Sequence, residues 1–178
     1  MAGIRQHYST IYKRHLTIAA IHGEHWLGND VIHLLTNQDA YTLRIDLVTW
    51  DRRRASVEYD YFMVDGESEG YRLHLLGHRG PGPDSLLKHN NRKFSTHDVD
   101  NDSAAPGEFG GSCARRFTGA WWYFRCYKSN LNGRYYRGGA VASGRYDGVA
   151  WNAWTGNEYS LKTVEMKIRP RRANNKDV

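Results

Sequence analysis

Only two cysteines, Cys113 and Cys126, occur in the 178 residues. A structural zinc site wants four ligands at short spacings, so two thiols thirteen positions apart argue against one. Flanked by Trp and Gly, the pair reads better as one disulfide closing a small loop in an oxidising compartment; free thiols are the alternative. No apolar run is long enough to cross a bilayer. The stretch Leu16-Thr17-Ile18-Ala19-Ala20-Ile21 is far too short for a span, and too short for a signal-peptide core with its cleavage site. Catalytic motifs are missing too. There is no Gly-x-Ser-x-Gly elbow and no phosphate loop, and His22-Gly23-Glu24-His25 lacks the i, i+4 spacing of a helical zinc site. The nine histidines are scattered and read as surface or packing residues. Without a nucleophile–base set, the expectation is a protein that is not an enzyme.

Positive charge is present but not gathered in one tract. The net charge is +6 and the isoelectric point about 9.4. Arg52, Arg53 and Arg54 form one cluster, and Arg169, Arg171 and Arg172 another. Such a balance is compatible with anionic glycans or acidic surfaces. No nucleic-acid-binding motif accompanies it, so no nucleic-acid partner is expected.

What the chain does have is glycine and aromatic residues: 18 Gly, 6 Trp and 12 Tyr, with 40% hydrophobic residues overall. That mixture favours short strands, turns and irregular loops over a helical bundle, in one domain or a little more. Val31, Ile32, Leu34 and Leu35 have helical spacing within residues 30–38, with Asp30 placed to cap the start. Alternation predicts three strands close in sequence: Tyr41 to Leu47, Val57 to Met63, and Tyr71 to Leu75. The cluster Arg79-Gly80-Pro81-Gly82-Pro83-Asp84 ends the third. An antiparallel sheet follows. Residues 95–160 lose periodicity, and loops of that length are normally functional or pinned by metal and disulfide. Val164, Met166 and Ile168 alternate again and predict a last strand, ended by Pro170, with residues 171–178 a frayed tail.

The sharpest local signal is Asp98-Val99-Asp100-Asn101-Asp102. Alternate carboxylates repel unless a cation sits between them, and hard oxygens on an irregular loop suit calcium. The helix–loop–helix template does not fit, since Ser103 stands where it wants Gly and Phe109 where it wants Glu. A solvated acidic turn is the equal alternative.

Longer motifs are more specific. Gly23-Glu24-His25-Trp26-Leu27-Gly28-Asn29, Phe94-Ser95-Thr96 with the acidic run, Gly119-Ala120-Trp121-Trp122-Tyr123, Ser129-Asn130-Leu131-Asn132-Gly133-Arg134-Tyr135, Tyr159-Ser160-Leu161-Lys162 and Glu165-Met166-Lys167-Ile168-Arg169-Pro170 occur in order. Together, from about residue 22 to 170, they strongly resemble the fibrinogen C-terminal domain family. The resemblance implies an α+β fold: a central antiparallel sheet with short helices over residues 22–84, then a loop-rich calcium and ligand subdomain over 85–170. Residues 1–21 match nothing of the smaller subdomain with which the family opens. The expectation is therefore a fragment or a truncated domain whose sheet edge is left exposed.

The resemblance also implies a Cys113–Cys126 disulfide and a Ca2+ site. Asp100 and Asp102 would supply carboxylates, and Ala104 and Pro106 backbone carbonyls, although the stretch from Asp102 to Cys113 is longer than the family's usual one. Asp98 would bridge through water. Asn101-Asp102-Ser103 fits the glycosylation pattern, but a glycan there would crowd the metal loop. An aromatic-walled ligand pocket is implied beside a cis Arg125-Cys126 bond. Its residues would be Phe117, Arg125, Cys126, Tyr127 and Tyr146, with Arg116 alongside. Tyr127 stands where the family usually has His, and Asn157 at a third aromatic position. Phe117 and Tyr146 also fit a plain core role. Arg115, Arg116 and Arg125 favour an anionic, acetylated ligand over a cationic peptide.

Cys113-Ala114, Phe117 and Gly119-Ala120-Trp121-Trp122-Tyr123 look most like the ficolin and tachylectin branch. The leading expectation is thus a secreted, calcium-dependent lectin of the innate-immune type, binding extracellular glycans or acetylated ligands. A homo-oligomeric full-length chain is implied. The alternative is a matrix or angiopoietin/tenascin-like module that binds a cell-surface or matrix protein.

Overall fold

The computed structural model describes residues 26–171. The first 21 residues, the Gly23-Glu24-His25 start of the first motif, and the tail from residue 172 lie outside the described residues. An eight-residue helix, α1 (Asn29–Thr36), comes first. The four-stranded antiparallel sheet is built from β1 (Tyr41–Val48), β2 (Arg54–Val64), β3 (Leu73–Arg79) and β6 (Thr163–Pro170), in the order β3-β2-β1-β6. Among the described residues the last strand therefore lies beside the first, with Ile45 paired to Met166 on one side and to Val57 on the other.

Alternation explains the sheet. Leu43, Ile45, Leu47, Val57, Tyr59, Val164 and Met166 all point to one face and are at most 5% exposed. The other face carries an ion ladder. Arg44 bridges Asp46 and Glu58 at 2.8 and 3.0 Å, and Lys167 bridges Asp46 and Glu165 at 2.6 and 2.8 Å. Half-exposed pairs of this kind set register more than stability.

Two local expectations change. Asp30 does not cap α1. Gly28 holds the N-cap position without a side-chain bond, and Asp30 instead accepts from the Tyr71 hydroxyl at 2.6 Å. Tyr71 does not start β3. Its φ of 51° is left-handed, so the chain turns there and becomes extended only at Leu73. Thr36 anchors α1, donating to Ile32 O and accepting from Val64 N. Val31 and Leu34, read as part of an apolar helical stripe, are 42% and 63% exposed.

The second half is mostly loop, with α2 (Cys113–Arg116), α3 (Asn152–Thr155) and the short pair β4 (Ser129–Asn130) and β5 (Ala150–Trp151). Its core is aromatic. Trp121, Trp122, Tyr123 and Trp151 are fully buried. Two indoles also tie this half to the sheet half by donating to backbone carbonyls, Trp122 to Tyr71 and Trp151 to Pro83, both at 2.7 Å.

Candidate functional site

The loop half is held by side chains that serve backbone groups. His89 is fully buried. Its Nδ1 lies 2.7 Å from Trp122 O, while its Nε2 accepts from the N–H groups of Lys128 and Ser129 at 3.0 and 3.1 Å. Nδ1 must therefore carry the proton and the ring must be neutral. Burial lowers its pKa to about 4, against the pull of the Trp122 carbonyl. The ring thus clamps both ends of the segment that carries Cys126. Within that segment the Arg125-Cys126 bond is cis, and Phe124 N–H donates to Cys126 O at 2.8 Å. Cys126 is disulfide-bonded to Cys113, the first residue of α2, so both cysteines are used as expected. Gly133 permits the close chain approach alongside, where a Cβ would lie 2.3 Å from the Gly148 carbonyl.

Asp102 joins the acidic loop to this framework. Its two carboxylate oxygens accept from the N–H groups of Ala104 and Cys113, at 2.8 and 2.7 Å. Asp100 accepts from Asp102 N–H at 3.2 Å. Burial, and the Asp100 carboxylate beside it, raise the pKa of Asp102 despite those donors. A cation between the two carboxylates would relieve that repulsion, so the donor chemistry fits calcium. Among the described residues no hydrogen bond is donated to the carbonyl of Ala104 or Pro106, while that of Ala105 accepts from Glu108 N–H at 2.9 Å. Among the described residues no three His, Cys, Asp or Glu side chains converge there. Asp98 turns instead to the Thr96 hydroxyl at 2.6 Å. Asn101 donates its amide to Phe94 O at 2.7 Å, which leaves that nitrogen engaged within the protein.

Phe117 and Tyr127 come together as one cluster, with the backbone of Tyr146 against it. Phe117 and Tyr127 meet edge to face at 5.0 Å, and the Tyr127 hydroxyl donates to the Tyr146 carbonyl. Arg116 lies over Phe117 at 5.1 Å, with its guanidinium donating to the carbonyls of Gly144 and Arg145 at 2.7 and 2.9 Å. Arg125 forms a two-pronged pair with Glu108, and Arg115 donates to His97 O at 2.8 Å. Each of the three arginines is therefore engaged within the protein. Asn157 lies in the turn after α3. Phe109 was missed at the sequence level. It is 41% exposed and packs on Phe117 at 5.7 Å, making it the exposed rim of the cluster. Its one signal was an aromatic residue among the glycines of the long loop.

A half-buried antiparallel sheet that carries a disulfide-pinned loop half defines the class: an α+β globe of fibrinogen-like fold. The chain belongs to the family described as fibrinogen beta and gamma chains, C-terminal globular domain, whose model matches residues 6–171. That match starts nearer the N-terminus than the resemblance read from residue 22. Fibrinogen C domain-containing protein 1-B of Xenopus laevis is 46% identical over 158 residues, covering 86% of this chain and 33% of that protein. Angiopoietin-related protein 7 of Mus musculus is 46% identical over 152 residues, covering 85% and 43%. Among solved structures, the fibrinogen-like globe domain of human ANGPTL2 superposes with a TM-score of 0.81 at 42% identity, covering 87% of this chain and 69% of that one. Lamprey fibrin D-dimer complexed with the peptide Gly-His-Arg-Pro-amide gives 0.75 at 36% identity, covering 87% and 53%. The chain spans about a third of the length of the first of these curated relatives. The ficolin and tachylectin branch is not singled out by these likenesses. The angiopoietin-related ones fit the protein-binding alternative better than the lectin reading. Among the described residues no helix is long and apolar enough to cross a membrane.

Proposed function

We propose that this domain is an extracellular recognition module that binds a protein ligand through its loop half, with calcium holding the Asp100–Asp102 loop in shape. The observation that carries this is the convergence of Phe109, Phe117 and Tyr127, closed by the Tyr146 carbonyl, beside the disulfide-pinned segment. Rigid amphipathic aromatics with arginine nearby are what protein-binding surfaces use most. Likeness to angiopoietin-related proteins, and to a fibrin that holds a peptide, supports the same reading. The disulfide favours an oxidising, secreted setting. Recognition rather than catalysis is favoured because His33, His74, His78 and His89 are each engaged in hydrogen bonds within the fold, and His97 stands exposed with no nucleophile paired to it among the described residues.

Calcium would be held by the Asp100 and Asp102 carboxylates with the carbonyls of Ala104 and Pro106. Bound there, it would supply charge neutralisation, not reactivity. An acetylated glycan is the second reading, because the same aromatic cluster stands beside the cis peptide. The bond from the Tyr127 hydroxyl to the Tyr146 carbonyl closes that cluster and counts against it.

The test is a paired screen of the full chain against an array of extracellular protein domains and an array of glycans, with calcium present. Binding to a protein domain that is lost in Phe109→Ser and indifferent to N-acetylated sugars is expected. Binding confined to acetylated glycans would reverse the assignment.

A further inference from the structure

The arginine cluster at residues 52–54 has no part in the site above. It forms the tip of the β1–β2 hairpin, where Thr49 N–H donates to Arg53 O at 3.0 Å. Arg53 pairs with Asp51 at 2.7 Å and lies near the Trp154 ring. Arg52 and Arg54 make no ion pair among the described residues, and both are exposed. They face a groove of about 660 Å³ on the outer side of the sheet, walled across β1 by Lys162 and the start of β6. Lys162 also lacks a carboxylate partner there, its ammonium resting 5.5 Å from the Trp50 ring.

Charge in the groove is one-sided. Five cations line it against two carboxylates, Asp46 and Glu165. Both carboxylates are already matched by Lys167, and Asp46 by Arg44 as well. The surplus is thus Arg52, Arg54 and Lys162. Arg54 on β2 stands opposite Val48, which stands opposite Thr163 on β6. Two strand spacings, roughly 10 Å, therefore separate the groove's two walls.

We infer that this groove binds a linear sulfated or uronate-bearing polysaccharide, at a second site independent of the aromatic cluster. Guanidinium groups pair well with sulfate and carboxylate, and a concave cationic trough concentrates a polyanion. No aromatic residue lines the groove, which removes the stacking platform that single-stranded nucleic acids use. Nor does an apolar helix face lie in its lining to enter a lipid surface.

The experiment is calorimetry of the full chain with a heparin-derived oligosaccharide at low and moderate salt. The triple variant Arg52→Asn, Arg54→Gln, Lys162→Gln is compared with wild type. Asn is chosen because Arg52 has a φ of 68°. Wild type is expected to bind with an affinity that falls as salt rises. The variant should bind roughly ten-fold more weakly at moderate salt. Arg116→Ala should match wild type, which separates this groove from the aromatic site. Near-UV circular dichroism checks the fold, and the single variant Lys162→Gln should show a smaller loss of the same sign. Undiminished binding by both variants overturns the inference. So does equal binding of uncharged dextran, of single-stranded DNA or of anionic phospholipid vesicles.

Discussion

The two halves of this domain are held by different means. In the sheet half, stability comes from a repeated pattern: alternate apolar side chains on one face, backbone ladders between strands, and ion pairs on the other face. In the loop half, backbone groups that have no ladder partner are satisfied one at a time by particular side chains. His89 serves three of them, Asp102 two, and Asn130 donates to Phe117 O and Gly148 O while its own oxygen accepts from Tyr123. A sheet tolerates change because its pattern is redundant. A loop framework concentrates its stability in a few hydrogen-bonding side chains.

The sharpest way to break this comparison is His89→Leu. Three backbone groups would lose their partner inside the fold, at about 1–3 kcal/mol each, so a loss of about 4 kcal/mol is expected in urea unfolding. A loss under about 1 kcal/mol would show that the clamp is dispensable. Acid sharpens the same point. The unfolded ring titrates near 6.5 and the folded one near 4. The stability contributed by the neutral ring is therefore complete above pH 6.5 and is lost as pH falls toward 4, on the order of 3 kcal/mol in all. In His89→Gln that segment of the stability–pH curve should flatten; an unchanged slope would assign the acid loss to other groups.

Next in size is the staple. Cys113→Ser with Cys126→Ser opens a loop of 13 residues and should cost about 3 kcal/mol by the loop-closure model. Mild reduction of the native protein should lower its melting temperature by the same amount as the double variant. If reduction changes nothing, the polar clamps alone hold the segment.

Legibility followed the same division. Leu43, Ile45 and Leu47, and later Val164 and Met166, announce their strands because a sheet's period is written in the side chains themselves. The boundaries missed are those where a single residue departs from its pattern, as at Tyr71, whose left-handed backbone no periodicity reveals. In the loop half the site came into view through long ordered motifs, not through spacing. Cys113 and Cys126 are joined, Phe117 and Tyr127 are in ring contact, and Tyr146 reaches them through its backbone carbonyl. That Arg116 and Arg125 would be engaged within the protein could not be read, because Gly144 O and Glu108 are brought to them only by the fold. Phe109 escaped notice for the same reason.

The most direct test of the account is hydrogen exchange of the full chain with and without calcium, in wild type and in Asp100→Asn with Asp102→Asn. A loop site of this kind should bind calcium at about 10⁻⁴–10⁻³ M. Saturating calcium should slow exchange of the amides of Ala104 and Cys113, which Asp102 holds, and of the disulfide-linked segment behind them. The strands β1 and β2 should be almost unaffected, and the double variant should show no calcium response. Protection spread evenly over sheet and loops, or an undiminished response in the double variant, would contradict the account.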